Sequence, residues 1–151
     1  MTEKLARRGV RVPSEYAADY LDLINVADVC TTDVVTVAAD EPIAKLRERG
    51  ATHQGFPVVD RDGKLLGLIT RRDFLDASKP ETTRAVDLIT RAPAVIFMDS
   101  SLRDAADQMV RENVGRLPVV SRDDPSRVVG FLTRSDLLRA HEQRLADSAH
   151  N

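Results

Sequence analysis

The sequence predicts an α/β protein built from two copies of one strand-helix-strand-strand-helix unit, and three observations carry that prediction. Thr70-Arg71-Arg72-Asp73 and Thr133-Arg134-Ser135-Asp136 share a Thr-Arg-x-Asp signature, each set between an apolar β-branched run and an apolar-periodic segment. Pro57-Val58-Val59 and Pro118-Val119-Val120 repeat a strand that opens near a proline. The offset between copies is 59 residues at Asp28 and Asp87, 61 at Pro57 and Pro118, and 63 at Thr70 and Thr133. The two small insertions fall near a helix end and in a hairpin, where added residues are tolerated, so the pattern is an internal duplication.

Residues 1–25 read as an N-terminal arm, basic from Lys4 to Arg11 and then mixed over Tyr16 to Leu21. The first repeat spans 26–77. Val34-Val35-Thr36-Val37 suits a short strand, and Asp40-Glu41-Pro42 opens a helix with proline in its first turn and acids at its positive end. Ile43, Leu46 and Ala51 carry that helix's apolar stripe, and Gly50 ends or weakens it. Phe56-Pro57-Val58-Val59 is the second strand. Asp60 to Lys64 is a hairpin turn in which Asp-Gly supplies positive φ, 65–69 is the return strand, and 71–77 a helix. Residues 78–84 are a polar linker containing Pro80.

The second repeat, 85–146, follows the same order, leaving 147–151 as a tail. Ala94-Val95-Ile96-Phe97 answers the first strand. Ser101-Leu102-Arg103-Asp104 is a capping box, followed by Leu102, Ala105, Ala106, Met109 and Val110 at helical spacing. The turn from Ser121 to Arg127 lacks the Asp-Gly of its counterpart, and a final helix runs from Thr133 to about Leu145.

With 151 residues, 42% hydrophobic and 30% charged, the composition is that of a globular domain or two closely packed halves. A net charge of −2 gives no general attraction to nucleic acid or acidic lipid. No apolar run reaches the ~18–20 residues that span a bilayer, and the first residues offer no apolar signal core, so a cytoplasmic domain is expected, without membrane insertion of its own. The lone Cys30 and the scattered His53, His141 and His150 make a disulfide framework or a metal site unexpected. No nucleophile stands beside a histidine in a recognisable frame and no phosphate-cradling glycine loop occurs, so an enzyme is not expected.

Each Thr-x-x-Asp junction admits two readings. One is a capping box, with Thr and Asp satisfying backbone NH groups at the helix start. The other is a ligand site, because a helix start beside a strand end presents NH groups and positive potential to phosphate, while a carboxylate can accept two ribose hydroxyls. Two junctions related by a repeat favour a ligand, and Thr can serve both purposes.

At these residues the chain resembles a known family. Gly55-Phe56-Pro57-Val58-Val59-Asp60, the Asp-Gly turn, and Leu65 through Thr70-Arg71-Arg72-Asp73-Phe74-Leu75 resemble a cystathionine-β-synthase-type (CBS) domain. Gly115 to Val120, with Val129-Gly130-Phe131-Leu132-Thr133-Arg134-Ser135-Asp136-Leu137-Leu138, resembles a second, so residues 26–141 look like a CBS pair, or Bateman module. The resemblance implies a tandem CBS domain pair of β-α-β-β-α units, packed sheet to sheet about a pseudo-twofold axis. It also implies homodimerisation, for which Leu102, Met109, Val110, Leu137 and Leu138 offer apolar surface, and regulation by AMP, ADP or ATP. Leu5 to Val10, Tyr16 to Leu21 and Leu137 to His141 resemble the cytosolic C-terminal region of bacterial chloride channel or transporter proteins, which implies an attached or partner membrane domain.

By the same resemblance, one cleft places Asp136 on the ribose, Thr133 and Ser135 on ribose or phosphate, and Arg116 and Arg134 on phosphate. Val35, Gln54, Gly55, Phe56 and Pro57 enclose the adenine. The pseudo-symmetric cleft uses Thr70, Arg72 and Asp73 with Val95, Arg116, Leu117 and Pro118, and Arg72 there replaces a small hydroxyl. Phe56 and Pro57 can equally be core, the arginines solvated surface, and His53 an ordinary histidine. The alternatives are a structural dimerisation module with no nucleotide, or a stand-alone pair acting on another partner.

Overall fold

A computed structural model of the protein describes residues 20–48 and 55–150. The expectations for 1–19, Gly50, Ala51, His53 and Gln54 lie outside these residues.

Two three-stranded sheets stand in pseudo-symmetric relation. In the first, β1 (Val37–Ala38) pairs parallel with β2 (Gly55–Val59), which pairs antiparallel with β3 (Leu65–Thr70). In the second, β4 (Ile96–Phe97), β5 (Arg116–Val120) and β6 (Val128–Thr133) repeat that order. The register shifts between Val58 and Val59 and again between Val119 and Val120, so the duplication extends to an irregularity. A helix links each parallel pair, as a crossover requires. These are α2 (Ile43–Glu48) and α4 (Leu102–Glu112), and β3 and β6 lead into α3 (Arg71–Leu75) and α5 (Arg134–His150).

Local chemistry accounts for the boundaries. Asp60 accepts from the NH groups of Asp62 and Lys64, and Gly63 takes φ +83° in the hairpin. Ser101 Oγ accepts from Asp104 N at 3.1 Å to start α4, and Asn113 ends it in the left-handed region at φ 55°. Arg47 donates to the carbonyls of Phe74 and Asp76, at 2.7 and 2.9 Å, and so holds the end of α3.

The leading segments are exchanged. Helix α1 (Val26–Val29) opens the first repeat, yet Val26 is fully buried in the second repeat's core with Leu102, Leu117 and Leu132. Backbone bonds from Val26 N to Ser100 O (2.8 Å) and Leu102 N to Ile24 O (2.9 Å) fix it there. Reciprocally, Ala85 and Leu88 of the 3-10 turn Ala85–Leu88 complete the first core with Phe56, Ile69 and Phe74, and Ala85 N donates to Glu41 O.

Several expectations are corrected. Val34 to Thr36 are not strand, because this stretch spans from one half to the other; for the same reason only Ile96–Phe97 of 94–97 pairs. Val110 is 81% exposed, since Leu102, Ala105 and Met109 alone meet the core. Leu102 is fully buried and supplies no apolar surface for a dimer. Residues 20–25 form part of the folded body: Asn25 bridges to Ser101, and the Arg144 guanidinium lies 4.9 Å over the Tyr20 ring. Helix α5 runs to His150, through most of the expected tail.

Candidate functional site

Period-two alternation decides which side chains face the gap between the halves. On β2, Phe56 and Val58 turn into the first core, and the Phe56 ring packs 5.8 Å from that of Phe74. Gly55 and Pro57 turn the other way. On β6, Leu132 is core, and Phe131 and Thr133 face the gap. The first half's strap reaches across through reciprocal backbone bonds of Thr31 with Phe131, at 2.9 and 2.8 Å. Gly130 permits this crossing, because a Cβ there would stand 2.9 Å from Cys30 Sγ and 3.1 Å from Thr31 O.

The result is a cavity of about 490 Å³, within the usual range for small-ligand sites. Thr133, Arg134, Ser135 and Asp136 line one wall, Val34, Val35, Gly55 and Pro57 the opposite one, and Arg116 and Phe131 lie between. Thr31, Asp33 and Gly115 complete it.

Asp136 is 6% exposed at its base. One carboxylate oxygen accepts from Thr133 N at 2.9 Å and the other from Arg139 Nη1 at 3.1 Å, while Asp136 N donates to Thr133 Oγ1 at 3.2 Å. The capping box is therefore real. Each carboxylate oxygen keeps a further lone pair, and Arg139, whose side chain is 69% exposed, can yield its place to a ligand hydroxyl. Nearby, burial pushes the Cys30 thiol up, with the negative charge of Asp136 adding to the effect. Cys30 is accordingly expected to react with a maleimide at pH 8 at least several-fold more slowly than an unfolded control; equal rates would contradict the burial.

The second cleft is smaller, about 390 Å³, and is lined by Thr70, Arg72 and Asp73 facing Arg91, Pro93, Ala94 and Arg116. Thr70 N donates to Asp73 Oδ2 at 2.7 Å, so this junction is capped as well.

Of the expected site residues, Asp136, Thr133, Ser135, Arg134, Arg116, Val35, Gly55 and Pro57 converge on the first cavity, and Thr70, Arg72 and Asp73 on the second. Phe56 does not face a cleft. Leu117 is fully buried in the second core, Pro118 is buried and lines neither cavity, and Val95 gives its carbonyl to Gln108 Nε2 at 2.9 Å. Its place is taken by Ala94, which stands 59 residues after Val35. Phe131 and Asp33 were absent from the expected set; alternation back from Thr133 signals Phe131, whereas Asp33 sits in irregular chain with no periodic mark. Phe56→Leu is expected to cost about 1 kcal/mol in a urea melt and to leave cleft binding unchanged. A selective loss of binding would return Phe56 to the site.

Neither histidine nor cysteine is among the described residues that line the first cavity. Among the described residues no group of three His, Cys, Asp or Glu could hold a metal ion, and no helix is long and apolar enough to cross a membrane. What the cavity offers is hydroxyls, a recessed carboxylate, two guanidinia and the start of a 17-residue helix. That set suits a polyhydroxylated, phosphate-bearing ligand.

The CBS domain family matches residues 26–80 and 85–142. The chain belongs to the CBS domain family. As a tandem CBS pair it is 33% identical over 114 residues to the inosine-5'-monophosphate dehydrogenase of Methanocaldococcus jannaschii, covering 74% of this chain and 22% of that protein. The chain spans less than half the length of the curated relatives it matches. Two solved structures carry the same fold. One is CBSX2 in complex with AMP, 28% identical with a TM-score of 0.67, covering 80% of this chain and 97% of that one. The other is the CBS domain pair of protein MJ0100 in complex with 5'-methylthioadenosine and S-adenosyl-L-methionine, 28% identical with a TM-score of 0.69 and the same coverage.

Proposed function

We propose that this CBS pair is a regulatory module that binds an adenosine-containing ligand between its halves. The observation that carries the reading is the convergence, on one cavity, of a recessed carboxylate and two hydroxyls from the start of α5 with Val35, Gly55 and Pro57 from the other repeat. Asp136 accepts the ribose hydroxyls, Thr133 and Ser135 bind ribose or phosphate, and Arg134 and Arg116 bind phosphate. Pro57 and Phe131 flank the base with apolar faces. The adenosine compounds bound by CBSX2 and by the MJ0100 pair support this chemistry. Binding regulates a partner to the extent that the two states of the module differ in affinity.

The partner we propose is an attached or separate membrane protein of the chloride channel type, on the strength of the flanking sequences. A homodimer would draw on Val110, Leu138 and Leu145, which are 81%, 63% and 58% exposed. The test of the ligand is a thermal melt with AMP, ADP, ATP, S-adenosylmethionine and NAD. At 100 times its Kd a bound ligand adds about 2.7 kcal/mol. No shift with any of the five overturns the sensing role and leaves a structural module.

A further inference from the structure

We propose that Arg116 is one phosphate-binding residue shared by both clefts, so that a phosphate held in one weakens phosphate binding in the other; this rests on the nucleotide reading above. Arg116 opens β5 and Gly55 opens β2, 61 residues apart, and they are therefore pseudo-symmetric counterparts. Where a symmetric pair would place two side chains across the axis, this chain has one long cation and one glycine. The fit is close: a Cβ on Gly55 would stand 2.5 Å from Arg116 Cδ and 3.1 Å from Nε. The arginine stem thus occupies the space that its counterpart vacates, and Arg116 lines both cavities. Each cleft also has cations of its own, Arg134 in the first and Arg72 and Arg91 in the second. Among the described residues no carboxylate ion-pairs with Arg116. A guanidinium makes its strong forked contact with one phosphate at a time. The first ligand to bring a phosphate takes it, and the second meets a poorer site with a negative charge nearby. Adenosine, without phosphate, makes no such claim.

Calorimetric titration of the whole chain with AMP and with adenosine tests this. Asp136→Asn weakens the first cleft, so that its tighter step reports the second, and Asp73→Asn likewise leaves the first as the tighter step. With AMP, the wild-type second step is expected to be at least five-fold weaker than the weaker of these single-cleft affinities, within the usual range of site coupling. With adenosine the two are expected to agree within two-fold, and Arg116→Gln is expected to bring the AMP values into the same agreement. A persistent gap in Arg116→Gln, or no gap in the wild type, overturns the sharing while leaving the nucleotide reading intact. So does an Asp136→Asn chain that binds no AMP, which would mean that the second cleft is not a site. A wild-type chain that binds neither AMP nor adenosine overturns both.

Discussion

A chain that starts at Thr36 is expected to lose about 5 kcal/mol of stability, and to lose it in the second repeat although the deleted residues lead into the first. Val26 is fully buried in that repeat's core, and Leu21, Ile24, Val29 and Cys30 pack against it. Burying one such aliphatic side chain contributes about 1.5–3 kcal/mol and the partly buried ones less. Backbone bonds of Val26, Ala27, Ile24 and Thr31 with Ser100, Met98, Leu102 and Phe131 are lost as well. Against a total of roughly 5–15 kcal/mol for a folded domain, the shortened chain should be largely unfolded at room temperature. A urea melt and amide exchange in α4 give the measurement. Unchanged protection there would show that the exchanged segment is dispensable.

Asp136→Asn is expected to lower AMP affinity by about 2 kcal/mol, or roughly 30-fold, by removing a charged acceptor from the ribose. The fold should survive, because an asparagine oxygen can still accept from Thr133 N, where Asp136 now accepts at 2.9 Å. Titration separates the two effects: a melt shifted by less than about 1 kcal/mol, with binding strongly reduced, assigns the residue to the ligand. Equal AMP affinity in the two proteins would leave Asp136 a helix cap and nothing more.

The duplication was legible because the same local signals occur twice: a Thr-x-x-Asp cap, a proline-opened strand and apolar-periodic helices. Hairpin and cap chemistry are matters of nearest neighbours, and Asp60-Gly63 and Ser101-Asp104 behave as such signals do. The exchange of leading segments left no local mark. Nothing in Val26-Ala27-Asp28-Val29 says whether Val26 enters the adjacent core or the distant one; that choice depends on how the strap from Thr31 to Thr36 crosses to β6. The site divides in the same way. Residues of the two Thr-x-x-Asp junctions reach their clefts because the helix start fixes them. Phe56 and Leu117 do not, although they adjoin residues that do. A strand turns successive side chains to opposite faces, so grouping Gly55, Phe56 and Pro57 on one wall conflicts with the pleat.

The crossing of chain between the halves also bears on the order of synthesis. A nascent chain released only as far as α3 still lacks Ala85 and Leu88, which close the first core, and Val26 must wait for Leu102, which lies 76 residues after it. The first core can close once Ala85 and Leu88 have emerged, whereas the second joins Val26 to residues as far on as Leu132, so its defining contacts are distant in sequence. Such topologies reach the native state slowly and leave apolar surface open to chaperones in the interval.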